Sequence, residues 1–225
     1  MSKQITLTAA DGHSFTAYVA EPAGQPRGVI VVLQEIFGVN SHIREVTDGY
    51  AAEGYLAIAP ALFDRYERDY ESGYEGADRE RSFELMQKAS VEDALKDIAA
   101  TIGHVRATGP VGVVGYCWGG RLTWLSACRL DGVVAAVAYY GGGIGNHLDE
   151  QPRCPVMCHF GGKDSMIPSE VHDGIRAKHP EVIVHVYDDA DHGFNCDHRA
   201  TYHADSARLA RQRSLEFFSK HLGAG

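Results

Sequence analysis

The sequence predicts a three-layer α/β fold, a mostly parallel sheet with helices on both faces and no large lid domain. Two observations carry this. Short, continuously apolar runs rich in β-branched residues, as in strands buried on both faces, alternate with stretches of helical period. Nearly every polar residue of chemical interest follows one of those runs directly, at the strand ends where such sheets bind ligands.

Residues 4–8 and 14–19 alternate apolar and polar positions around Asp11-Gly12, which predicts an antiparallel hairpin. Residues 28–33 (GVIVVL) form the first buried strand, and residues 41–53 a helix opened by Ser41 as cap. Residues 55–59 are a short strand ended by Pro60. Residues 62–78, rich in Tyr, Asp, Arg, Glu and Gly, read as an irregular surface loop. Helical period returns over 82–105, with a break expected near 89–91. Strands are then expected at 111–115, 132–139, 155–160 and 182–187, with helices at 121–130, 169–178 and 200–221.

The chain has 225 residues, which fits one domain over 1–225. A chain of this size buries roughly 70% of its unfolded surface and needs no disulfide or metal to hold its core. The net charge of −9 argues against nucleic acid or an anionic membrane as partner, since both need a basic patch. The first residues, MSKQITLTAADG, lack the apolar stretch of a signal peptide. Five cysteines at irregular spacing make a poor disulfide framework and fit reduced thiols of a cytoplasmic protein. A monomer acting on a small-molecule substrate is expected.

The strongest chemical signal is Gly115-Tyr116-Cys117-Trp118-Gly119-Gly120, between a strand and a helix. This is the G-x-nucleophile-x-G elbow, with Cys in place of the usual Ser. Side chains at 115 and 119 would clash where strand meets helix. The helix start favours a thiolate at Cys117. The plain alternative is a buried structural Cys in a glycine-rich turn. Gly161-Gly162-Lys163-Asp164 follows the 155–160 strand, where Asp164 can orient a histidine or merely cap a turn. Asp191-His192-Gly193-Phe194 follows the last strand, and most of the twelve histidines must be structural. The order nucleophile, acid, histidine at 117, 164 and 192 is nevertheless that of the α/β-hydrolases.

GYCWGG, GGKD and the stretch HGFNCDHRATYHADSARLARQRSLEFF together resemble the dienelactone hydrolase (carboxymethylenebutenolidase) family over nearly the whole chain. The resemblance implies a Cys117–His192–Asp164 triad opening an enol-lactone or related ester. It also implies oxyanion-hole N–H groups at Ile36 and Trp118. Glu35 would hold the resting thiol neutral and share in its activation, against the alternative of a solvated or Arg-paired loop residue. Arg79 matches one carboxylate-binding Arg of the family, or is a solvated charge of the DRER run. At the second such position, four residues after His192, this chain has Cys196, and Arg199 stands nearby in sequence. The native substrate is therefore open: a dienelactone, or another small ester or lactone. Tyr66, Tyr70 and Tyr74 are expected on the rim of a small pocket.

Neither Cys154-x₃-Cys158-His159 nor Cys196-x-His198 has zinc-site spacing with a matching second half, so no metal is expected. No phosphate-cradling glycine motif occurs, and no cofactor is expected. Competing functions are a carboxylesterase, thioesterase or C–C bond hydrolase with the same triad, or a non-catalytic ligand-binding or redox-sensing protein on this scaffold.

Overall fold

The computed structural model describes residues 2–223. Eight strands, β1 (Ser2–Thr8), β2 (Ser14–Ala20), β3 (Val29–Leu33), β4 (Leu56–Pro60), β5 (Val111–Tyr116), β6 (Val133–Tyr139), β7 (Val156–Gly161) and β8 (Ile183–Tyr187), form one sheet in the order β1-β2-β4-β3-β5-β6-β7-β8. The β1–β2 hairpin joins β4 antiparallel, and every later pairing is parallel. All residues of β3 and β5 are buried, as expected for central strands covered on both faces.

Six helices cover the sheet: α1 (Ser41–Ala52), α2 (Gly76–Lys88), α3 (Val91–Val105), α4 (Trp118–Arg129), α5 (Ser169–Lys178) and α6 (Ala204–Leu222). The sheet contacts of α1 and α6 fall mainly on β2–β4 and on β5–β7 respectively, while α3 and α4 pack against one another as well as on the sheet. Arg211 of α6 reaches the Tyr50 ring of α1, so those two helices adjoin. This is the three-layer α/β architecture read from the sequence, with no large additional domain.

Local details differ from the expectation, among them the start of the closing helix, which is Ala204 rather than residue 200. The side chain capping α1 is Asn40, whose Oδ1 accepts from the Ile43 N–H at 3.2 Å, and Ser41 is the first helical residue. The helical region after the 62–78 loop begins at Gly76, not at residue 82, because α2 buries only Ser82 and Leu85 and has no broad apolar stripe to announce it. A short 3₁₀ turn, Ile144–His147, follows β6 and was not expected. The break expected near 89–91 is present: α3 starts at Val91, where the Ser90 hydroxyl accepts from the Asp93 N–H.

One buried ion pair ties three segments together. Asp97 of α3 is fully buried and receives Arg65 in two parallel hydrogen bonds of 2.7 and 2.8 Å. The same guanidinium reaches Asp11 in the β1–β2 turn at 3.0 Å. Burial raises the Asp97 pKa against the opposing pull of Arg65.

Candidate active site

The carboxyl ends of β3, β5, β6, β7 and β8 open on one edge of the sheet, and the segments that leave them carry Glu35, Cys117, Tyr140, Asp164 and His192. Cys117 stands between β5 and α4 with φ +55° and ψ −115°, a backbone conformation that L-residues rarely adopt. Its N–H donates to the Tyr139 carbonyl at 3.0 Å, which holds the turn. A Cβ on Gly119 would strike the Leu33 and Gln34 carbonyls, and one on Gly115 would strike the Gly119 carbonyl. These contacts are with backbone, so the glycines permit the close approach of β3, β5 and α4 that presents the sulfur.

His192 Nε2 lies 3.2 Å from Cys117 Sγ, and its Nδ1 lies 2.7 Å from Asp164 Oδ2. The other Asp164 oxygen accepts from the Met166 N–H at 2.9 Å, fixing the carboxylate. With Nδ1 donating to Asp164, Nε2 faces the sulfur. Asp164 and His192 are both buried. Burial works against charge on His192, but the Cys117 sulfur and the Asp164 hydrogen bond outweigh it and push its pKa up to about 10. Stability contributed by that charged imidazole is complete below about pH 6.5, the unfolded value. It is lost as the pH rises towards about 10.

Glu35 is 1% exposed, and its Oε1 accepts from Arg199 Nη1 at 3.2 Å. Its Oε2 is buried without a hydrogen-bond partner among the described residues. Glu35 thus pairs with Arg199, and no hydrogen bond joins it to Cys117. The Arg199 guanidinium also lies over the Phe37 and Tyr74 rings, at 5.7 and 5.6 Å. Tyr74 accepts from Asn40 Nδ2, and burial together with the Glu35 charge raises its pKa. Cys196 is fully buried, and burial with the Glu35 charge pushes it up to about 12.

Ile36 and Trp118 are both buried beside these groups, Ile36 in the turn after Glu35 and Trp118 at the first position of α4 with its ring stacked on Phe63. Trp118 N–H is one of the free donors at a helix start. Arg79 lies apart from this cluster: it is exposed on the first turn of α2, with its guanidinium over the Phe83 ring at 5.1 Å. Of the three tyrosines expected on the rim, only Tyr74 joins the Glu35–Arg199 group. Tyr66 accepts from the Ser90 N–H and Tyr70 bonds Ser82.

Two neighbours escaped the sequence reading. Tyr140 has φ +35°, a buried hydroxyl without a partner, and a ring 5.2 Å from that of His192. Its place directly after a buried strand was the available signal. Arg121, in the first turn of α4, is half-buried, and its pKa is lowered by burial against the pull of Cys117. Only the fold brings either residue to this edge.

The Dienelactone hydrolase family pattern matches residues 15–222. The carboxymethylenebutenolidase of Pseudomonas putida is 35% identical over 97% of both chains. A Klebsiella pneumoniae protein, described as a candidate dienelactone hydrolase, superposes with a TM-score of 0.87 at 31% identity, over 98% of this chain and 99% of its own. A dienelactone hydrolase-like phosphotriesterase from metagenomic libraries shares the fold, with a TM-score of 0.77 at 20% identity over 99% of both chains. On its sequence, its fold and the Cys elbow at the end of β5, the chain belongs to the dienelactone hydrolase family and is a hydrolase of lactone or ester bonds.

Proposed function

We propose that the chain opens small enol-lactones or related esters through a thiol acyl-enzyme, without a cofactor. The observation that carries this is the continuous hydrogen-bonded line from Cys117 through His192 to Asp164. Cys117 attacks the carbonyl carbon and forms a thioester as the ring oxygen leaves. His192 takes the Cys117 thiol proton as the sulfur attacks and gives it to that oxygen; it then takes a proton from the water that hydrolyses the thioester and returns it to the departing sulfur. Asp164 holds the imidazole in the tautomer that leaves Nε2 facing sulfur. The N–H groups of Ile36 and Trp118 are the donors for the oxyanion.

Glu35 shares in thiol activation. Its unpartnered Oε2 is the acceptor open to the thiol proton or to a substrate donor, while Oε1 is held by Arg199. A carboxylate on the substrate would compete with Glu35 for Arg199, whose fork suits such a group. Arg79, the other candidate, would have to leave the Phe83 ring to reach the substrate.

The test compares kcat/KM for an anionic lactone and its neutral methyl ester in wild type, Arg199→Lys and Arg79→Ala. Arg199→Lys keeps a cation for Glu35 but loses the fork. It is expected to lower the anionic rate about tenfold to a hundredfold relative to the neutral one, the worth of one charge-assisted hydrogen bond. Arg79→Ala is expected to treat both substrates alike. Equal losses in Arg199→Lys overturn the carboxylate reading. A wild type that prefers the neutral ester replaces it with a general esterase.

A further inference from the structure

Outside this site, two histidines and two carboxylates meet between the first turn of α1 and the segment after His192. His42 and Glu45 stand three residues apart on one face of α1. Asp197 and His198 lie in the turn that follows Cys196. His198 Nε2 is 2.9 Å from Glu45 Oε2 and 3.8 Å from Asp197 Oδ1, and His42 Nδ1 is 3.3 Å from Asp197 Oδ1. One donor atom from each of the four lies within 4.8 Å of every other.

His42 makes this more than a pair of surface ion pairs. It is 3% exposed, yet neither ring nitrogen has a hydrogen bond of acceptable geometry among the described residues. Its Nδ1 is 3.3 Å from Asp197 Oδ1 but poorly aligned with it, and a buried imidazole this poorly satisfied is costly, since buried polar groups normally find well-formed partners. The three other members are solvent-accessible and converge on it from two elements. A cavity of about 310 Å³, lined by His42, Glu45, Asp197 and Arg208 among others, gives access from solvent. His198 Nδ1 also has Ser41 Oγ at 3.5 Å, an outer partner of the kind that orients metal-bound imidazoles.

We propose that His42, Glu45, Asp197 and His198 bind one divalent transition-metal ion of the Zn²⁺ class, which clips α1 to the segment that follows His192. Two imidazoles with two carboxylates are borderline donors that suit Zn²⁺, whereas Mg²⁺ and Ca²⁺ favour all-oxygen sets. Bonds of about 2.0–2.1 Å require the four donor atoms to draw in slightly, and three of them are on exposed side chains free to do so. No local spacing announces the set, because Glu45 and His198 stand 153 positions apart. The cysteine-centred pairs weighed in the sequence do not include these four residues.

The inference is independent of the hydrolytic reading, and its test excludes the Cys117 sulfur as a competing ligand. Zn²⁺, Mg²⁺ and Ca²⁺ are titrated by calorimetry into Cys117→Ala protein, and into the same protein carrying His198→Ala or Glu45→Gln. One equivalent of Zn²⁺ is expected to bind and raise the melting temperature, with no saturable binding of Mg²⁺ or Ca²⁺. His198→Ala is expected to weaken Zn²⁺ at least about 100-fold, since even outer partners of metal ligands account for about 10–100-fold. Wild type alkylated with iodoacetamide serves for the same titration if Cys117→Ala folds poorly. Absence of stoichiometric Zn²⁺ binding overturns the proposal, as does an affinity unchanged by both substitutions.

Discussion

If Cys117 is the nucleophile of the proposed triad, Cys117→Ala is expected to lower kcat by about 10⁴–10⁶, the usual loss on removing such a residue. What remains would be binding and polarisation of the carbonyl by the Ile36 and Trp118 N–H groups. The other four thiols make the expectation specific. Burial pushes Cys128, Cys158 and Cys196 up to about 12 and Cys154 up to about 11, so each stays a neutral thiol at working pH. Only Cys117 has an imidazole nitrogen beside its sulfur. Replacing Cys128, Cys154 or Cys158 should therefore change thermal stability more than turnover. Initial rates on a lactone, with melting curves for each variant, check both halves. Full activity in Cys117→Ala rules out the thiol mechanism.

The largest expected effect on stability is at Arg65. Arg65→Met leaves the Asp97 carboxylate buried without its cation, a loss of about 3–5 kcal/mol. For a chain of this length that corresponds to about 2–4 °C of melting temperature per kcal/mol. The sign of the pH dependence is fixed by the raised pKa of Asp97. A carboxyl whose folded pKa lies above its unfolded value adds stability below the unfolded value and loses it as the pH rises through the folded one. Without Arg65 the main pull opposing burial is lost, and the folded value rises further. The gap between wild type and Arg65→Met should be widest at neutral pH and narrow on acidification, as Asp97 takes up a proton in the fold. Urea unfolding at several pH values measures this. A gap that does not change with pH would mean that Asp97 is not charged in the native state, and one that widens on acidification would overturn the assigned direction of the Arg65 effect.

Local chemistry decides what could be read from the sequence. The buried strands β3 and β5 are continuous apolar runs, and the hairpin has its turn residues, so both stand out without tertiary information. The elbow around Cys117 is equally legible, because its glycines, nucleophile position and flanking strand and helix fall within one short window, even though Gly119 answers to the distant Leu33 and Gln34 carbonyls. The start of α2 is not, since a helix burying two side chains has almost no period to detect. Arg199 could be named but not positioned: nothing in the spacing of residues 192–203 tells that its guanidinium meets Glu35, 164 positions earlier. The same limit hides the convergence of His42 with His198. Pairings of that length belong to the fold rather than to any window of sequence.

The order of the strands has a further consequence for how the molecule fails. Cys117 and Glu35 leave β5 and β3, which are flanked on both sides by other strands. Asp164 and His192 leave β7 and β8, and β8 is an outermost strand with three of its five residues only partly buried. Fraying of an edge needs far less free energy than opening a sheet at its centre. Warming should therefore separate the imidazole from the sulfur while Cys117 is still held in its turn. Hydrolysis would then decline some degrees before far-ultraviolet circular dichroism registers unfolding, and would return on cooling from that interval.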